Sequence, residues 1–259
     1  MTTKKLLTTD LLDFLASHTN KIEEASKLTG IPSEVIKKEL IKRDPNVIYN
    51  LGEEIDASYV SDTDIILFPG LVNMISNPTK QQRLIAITNN PNFIMKIKNP
   101  TEDEIIKALE LKPTLINRLN KPNYQMKLAA IKAAPYLIDE VEVDESLILI
   151  ALELANVSNL IRKKDYSGKI IEKLMDMEIS ASVIRSIKEF FIEHYNELLS
   201  DDTIFKVVSK YPELADKVVL SDNIYKRLLL EVPDMPLRIN NPSLELGKFA
   251  LDLDIKNKY

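Results

Sequence analysis

With 259 residues, 45% of them hydrophobic and 28% charged, the chain has the composition of proteins that bury a core rather than of chains that stay unfolded. The absence of cysteine excludes disulfides, thiolate metal ligands and a thiol nucleophile. A net charge of −5 argues against duplex nucleic acid, whose phosphates are held mainly by lysine and arginine, and five glycines with no Walker or dinucleotide fingerprint supply no phosphate-cradling loop.

The opening segment, MTTKKLLTTDLLDFLASHTN, breaks its apolar positions with Thr and Asp. It therefore reads as part of a helical cap over residues 1–31 and not as a signal sequence, and no apolar run approaches the roughly 18 to 20 residues that span a bilayer. A cytoplasmic protein without a membrane partner is the expectation. Next, Ile22 to Leu40 (IEEASKLTGIPSEVIKKEL) has the outline of a DNA-reading helix-turn-helix. Its second helix, Pro32 to Lys42, offers few side chains for base edges. Lys37, Lys38, Lys42 and Arg43 could touch phosphate or simply form a solvated face, and the segment reads better as the first member of a repeat.

Proline sets that repeat. Pro78, Pro100 and Pro122 are evenly spaced at a period of 22, and Pro91, Pro113 and Pro135 each follow one of them by 13, the interval that also separates Pro32 from Pro45. Pro69 keeps the beat as an inner proline without its outer one. Counting each outer proline as offset 0, offsets 8, 9, 15, 16 and 19 are apolar: Ala86, Ile87, Phe93, Ile94, Ile97; Ala108, Leu109, Leu115, Ile116, Leu119; Ala130, Ile131, Leu137, Ile138, Val141. Leu40, Ile41, Val47, Ile48 and Leu51 repeat the pattern near the N-terminus. It weakens over Asp144 to Lys164 and Tyr166 to Ile187, which keep the length but hold Val157 and Ile179 at the inner-proline position, and residues 188–198 read as an irregular insertion or one extra helix. The beat returns with Val207, Val208, Leu214, Ala215 and Val218 around Pro212, then Leu228, Leu229, Met235 and Ile239 around Pro233, and Pro242 opens a last unit.

A period in this range marks a solenoid, in which one supersecondary unit cannot bury its apolar face alone and stacking supplies the core. The expected fold is all-α: an α-solenoid of about ten helix-turn-helix repeats, an elongated curved stack in which residues 32–187 and 199–259 are repeats of one continuous body. Within a unit, both halves follow the 3.6-residue period, giving a first helix of about eleven residues and a second of about seven. Proline suits the first position of each, because its missing N–H has no partner there and the residue before it is pushed out of the helical region. Asn77, Asn99 and Asn241 are the expected N-caps, with Asn99-Pro100-Thr101-Glu102 related to a capping box. Ser61 to Asp64 and Ser200 to Asp202 carry helix-start chemistry of the same kind.

The stretch NPTEDEIIKALELKPTLINRLNKP is similar to the short Asn-Pro-punctuated helical repeats of large bacteriophage and bacterial proteins, and looks like a divergent relative of the DUF4116 repeat family. The likeness is best from Pro78 to Val141. The Asp144 and Tyr166 units lack both prolines, and the Ala-Val-x-x-Asn-Gly core common in that family is missing. What the resemblance implies is a helical-repeat fold, a phage or bacterial origin and, if phage-encoded, a place in the host cytoplasm. It carries no established chemistry and no functional residues.

No catalytic constellation, metal set or cofactor motif stands out, so an enzyme ranks third among the functional readings. His18 follows a helix end and His194 lies in FFIEHYNELL, neither beside a nucleophile or metal partner. The acidic run Asp139, Glu140, Glu142, Asp144, Glu145 lacks the alternating loop and turn glycine of a calcium site and reads as a solvated junction. What remains is surface. With offsets 15, 16 and 19 buried, offsets 14, 17 and 18 face outward: Asn46, Tyr49, Asn50; Asn92, Met95, Lys96; Thr114, Asn117, Arg118; Tyr136, Asp139, Glu140. Tyr and Arg are enriched where proteins bind proteins. Tyr49, Asn50, Lys96, Asn117, Arg118 and Tyr136 are therefore the candidate partner-binding residues of a non-enzymatic interaction scaffold, which in a phage-encoded form would engage a host or viral protein. The alternative is an RNA or single-strand binding module using Lys96, Lys98, Arg118, Lys121 and Lys132, with tyrosine stacking on bases.

Overall fold

A computed structural model of the chain describes residues 7–232 and 243–257. Pro233, Met235, Ile239, Asn241 and Pro242, expected to continue the repeat, lie outside the described residues. Among the described residues the protein is all-helical, without a strand and with a single parallel bridge between Ile55 and Ile75. It divides into two compact units, Met1–Ala133 and Ala134–Tyr259.

The first unit contains α1 (Thr9–Ser17), α2 (Ile22–Thr29), α3 (Ser33–Arg43), α4 (Ile48–Leu51), α5 (Asp62–Leu67), α6 (Lys80–Asn89), α7 (Glu102–Leu111) and α8 (Tyr124–Ala133). Consecutive helices α5 to α8 pack each on the next, and α3 packs on α1 and α2. Side-chain caps fix where these helices begin. Ser61, Thr79 and Thr101 each accept the N–H of the residue three positions on, and Asp64, Gln82 and Glu104 return the bond to the cap's own N–H, the reciprocal arrangement of a capping box.

That placement corrects the expected caps. Asn77 and Asn99 do not cap α6 and α7; the caps are Thr79 and Thr101, and Pro78 and Pro100 stand just outside the helices. A threonine followed three residues later by Gln or Glu satisfies two backbone donors at once, which an Asn before proline does not offer here. Asn99 instead takes a left-handed backbone (φ 50°), as does Lys121 (φ 52°) one period later. Asn tolerates that region better than most residues.

The inner prolines do begin helical segments, Pro45–Val47, Pro69–Met74, Pro91–Met95 and Pro113–Arg118 in the first unit; the first runs on into the α-helix α4, whereas the other three are 3₁₀ throughout rather than the expected α-helices. Five or six residues close few i→i−4 bonds, and a tighter turn with three residues per turn serves a short connector. The buried Leu71 and half-buried Met74, spaced by three within Pro69–Met74, stay on one face of such a turn and pack into the same core. Asp44 and Asn90 preform two of these turns by accepting the N–H of Asn46 and Asn92 at 2.9 and 3.2 Å.

The expected core offsets are buried where the beat is clearest: Ala86, Ile87, Ile94 and Ile97, then Ala108, Leu109, Leu115 and Ile116, all at most 8% exposed. Phe93, Leu51 and Leu119 are only half-buried. Polar side chains join successive pairs at nearly the sequence period. The Gln82 amide donates to the carbonyls of Ala57 and Val60 at 3.1 and 3.3 Å, Arg83 donates to Glu104 at 2.7 Å, and Asn123 to Glu102 at 3.0 Å.

The second unit contains α9 (Glu145–Leu154), α10 (Gly168–Met175), α11 (Ala181–Leu198), α12 (Asp201–Lys210), α13 (Asp222–Glu231) and α14 (Leu244–Asn257). Asp144, Ser167, Ser180, Ser200 and Ser221 cap α9 to α13 in turn. Helix α10 packs on both α9 and α12, α12 on α13, and α13 on α14, whereas α11 lies against the 3₁₀ segments Ser158–Leu160 and Lys163–Asp165. Residues 188–198 are thus the C-terminal part of α11, an 18-residue helix standing where other pairs have a short 3₁₀ segment. Phe190 and Phe191 anchor it in the core. Pairing at the period recurs here too, in Asn156 to the Glu178 carbonyl at 2.8 Å and Ser180 to Asn159 at 2.6 Å.

Candidate functional site

Most residues that the offsets place outward are exposed, Tyr49 and Asn50 on α4 and the others on or at the end of 3₁₀ segments, whereas Asn92 is half-buried. In the first unit Tyr49, Asn50, Met95, Lys96, Asn117 and Arg118 are all exposed, and in the second Tyr136 is exposed on the segment Pro135–Asp139. Three local contacts order this surface of the first unit. A methyl group at Gly70 would lie 2.7 Å from the Tyr49 hydroxyl and 3.4 Å from the Phe93 ring, so the missing side chain at 70 is what lets Tyr49 extend over the neighbouring 3₁₀ segment. The partial burial this gives Tyr49 holds its phenol above the usual range. The Lys96 ammonium lies 5.4 Å from the centre of the Phe93 ring, and Lys112 donates to Asn92 at 2.9 Å.

Beside this edge is a cleft of about 250 Å³ whose walls include Arg83, Lys96, Lys98, Glu54, Ser76 and Asn77. Arg83 is placed by the capping box of α7: its Nη2 donates to Glu104 Oε2 at 2.7 Å and to the Asn99 carbonyl at 3.2 Å. Glu104 is almost fully buried and also accepts the Thr101 N–H at 2.8 Å. Lys98 meets Glu54 at 2.7 Å in an exposed pair. Sequence reasoning missed Arg83, Glu104 and Gly70. Offset 5 carries no fixed residue type, Glu104 resembled any first-turn acid, and the use of Gly70 depends on Tyr49, which belongs to an earlier segment.

The other candidates have structural occupations. His18 stacks on Phe14 with ring centres 4.3 Å apart, its Nδ1 lying 3.0 Å from the Phe14 carbonyl oxygen. His194 leans on Phe190 and sits 3.7 Å from Glu193. In the acidic run, Asp144 caps α9 and Glu145 pairs with Lys169 at 3.1 Å; hydrogen bonds from Ser167 and Lys169 hold the Glu145 carboxyl below its ordinary range. No group of acidic or histidine side chains among the described residues could hold a metal ion. On α3, Lys37 bridges Glu34 and Glu53 and Arg43 pairs with Asp13 at 2.8 Å, while Lys38 lies over the Tyr59 ring and Lys42 is exposed. Of the basic group considered for nucleic acid, Lys98 forms an exposed pair with Glu54, and Arg118, Lys121 and Lys132 are exposed. No described helix is long and apolar enough to cross a membrane.

No protein-family model, no curated protein and no solved structure matches the chain.

Proposed function

We propose that the protein is a non-enzymatic protein-protein interaction scaffold, an α-solenoid of about ten repeats whose 3₁₀-side edge holds the partner. The observation that carries this reading is the exposed set Tyr49, Asn50, Lys96, Asn117 and Arg118 on regularly spaced short segments of the first unit, with Tyr136 at a corresponding place in the second. Amphipathic tyrosine and forked arginine are the side chains that most often anchor such surfaces. Support for the repeat comes from helix pairs bridged at near-period spacing, as in Gln82 to Val60 and Arg83 to Glu104. The likeness to DUF4116 repeats favours a phage-encoded version acting on a host or viral protein.

The second reading is a module for RNA or single strands, favoured by the exposed cations Arg118, Lys121 and Lys132. Salt separates the two. Nucleic-acid binding gives a gel shift at low ionic strength that fades steeply as salt rises, because released counterions drive it, whereas recognition through tyrosines persists. A shift of labelled single strands that is lost in the Arg118→Ala, Lys121→Ala double variant would replace the first reading with the second.

A further inference from the structure

We propose that the cleft walled by Arg83, Lys96 and Lys98 is a receptor for one carboxylate side chain, an aspartate or glutamate of the protein partner. This rests on the protein-binding reading of the adjoining edge and names what the partner must supply there. Three cations stand in the walls, of which Arg83 is paired with buried Glu104 and Lys98 with exposed Glu54, leaving Lys96 as the surplus charge, with Asn73, Ser76 and Asn77 as neutral polar groups. Arg83 is held rigidly through Nη2, yet only part of its fork is used. Its Nε–H is buried without an acceptor, only Nη2 donates, and the side chain as a whole keeps 18% exposure. A guanidinium fixed at one corner with Nη1 to spare can give a second carboxylate one charge-assisted hydrogen bond.

The two lysines differ in what they offer. Lys96 is steadied by the Phe93 ring at 5.4 Å. Lys98 spends its charge on an exposed pair with Glu54, the kind of contact a competing carboxylate displaces at little cost. Size selects the ligand further. At about 250 Å³ the cleft falls below the roughly 300–1,000 Å³ of sites that enclose drug-sized molecules, a size that suits a single side chain. The charge set is also no product of the repeat: one period on from Arg83, Lys96 and Lys98 stand Ile105, Arg118 and Asn120. Stacking alone therefore does not require cations at all three places.

The test titrates the ¹⁵N-labelled full chain with an acetylated, amidated Ala-Ala-Glu-Ala-Ala peptide, with its Gln twin and with inorganic phosphate, following the Arg83 Nε–H signal and the amides of residues 96–98. Saturable shifts are expected with the Glu peptide at a Kd on the order of millimolar, none with the Gln peptide, and affinity at least about tenfold weaker in the Lys96→Gln, Lys98→Gln variant. Both lysines are exposed, so that variant keeps its remaining spectrum. Equal shifts with the Gln twin, or undiminished binding in the variant, would overturn the proposal. Phosphate binding more tightly than the peptide would also overturn it in favour of a free small anion. Loss of partner capture on truncating Tyr49 and Arg118 without any peptide binding would remove this inference and leave the edge reading standing.

Discussion

Replacing Glu104 by Ala tests how successive helix pairs are held together. Its carboxylate, with 2% side-chain exposure, accepts the Thr101 N–H at 2.8 Å and Arg83 Nη2 at 2.7 Å, while Arg83 itself is 18% exposed. Losing the cap contact costs about 0.5–2 kcal/mol. Removing one partner of a buried ion pair costs about 3–5 kcal/mol, less here because Arg83 keeps the Asn99 carbonyl and some solvent. A total of about 3–5 kcal/mol follows. Glu104→Gln keeps the cap and a neutral acceptor, as Gln82 does one repeat earlier, and should cost about 1–2 kcal/mol. Urea unfolding followed by circular dichroism, with hydrogen exchange of the α7 and α8 amides to isolate the first unit, measures both, since the two units need not unfold as one. If Glu104→Ala stays within about 0.5 kcal/mol of the parent, the ion pair is not part of what joins α6 to α7.

Leu115→Ala and Ile138→Ala, at 1% and 3% exposure, should each destabilise by about 2–5 kcal/mol through lost burial and a cavity, whereas Arg118→Ala should change stability by less than about 0.5 kcal/mol; urea midpoints separate the two groups. Gly70→Ala brings a methyl group to 2.7 Å from the far end of the Tyr49 side chain, so Tyr49 should swing outward and its phenol should titrate closer to the ordinary value, with the fold retained; an unaltered Tyr49 titration would contradict this. Tyr49, Tyr166, Tyr211 and Tyr225 are held above the ordinary phenol range mainly by burial, and Tyr59 mainly by its hydrogen bond to Glu34. The folded state thus favours the neutral phenols. Their contribution to stability is complete below a pH of about 10 and is lost as pH rises through the folded-state values. Tyrosinate absorbance should accordingly appear at higher pH in buffer than in urea, and superimposed curves would refute the assignment.

The buried positions were legible because burial leaves a period. Ala108, Leu109, Leu115 and Ile116 lie where the offsets place them, and so do the exposed Tyr49 and Arg118. Helix type in the second half was not legible, because an apolar spacing of three or four positions suits a 3₁₀ turn as well as an α-helix. Cap identity failed for a related reason. Asn and Thr are both good caps, and the choice turned on Gln82 and Glu104, whose side chains also reach the neighbouring pair. The cleft was invisible in the sequence because it joins Glu54, Arg83 and Lys98 from three segments, none marked by a motif.

Protein recognition along the Tyr49–Arg118 edge is tested most directly by affinity capture from nuclease-treated lysate of the native host, comparing the parent chain with the Tyr49→Ala, Arg118→Ala variant at low and high salt by quantitative mass spectrometry. One or a few proteins should be enriched on the parent, retained at high salt and depleted at least about tenfold on the folded variant, since two anchors at more than about 1 kcal/mol each account for that loss. Enrichment that vanishes with nuclease or salt, or that is equal on the variant, would contradict it.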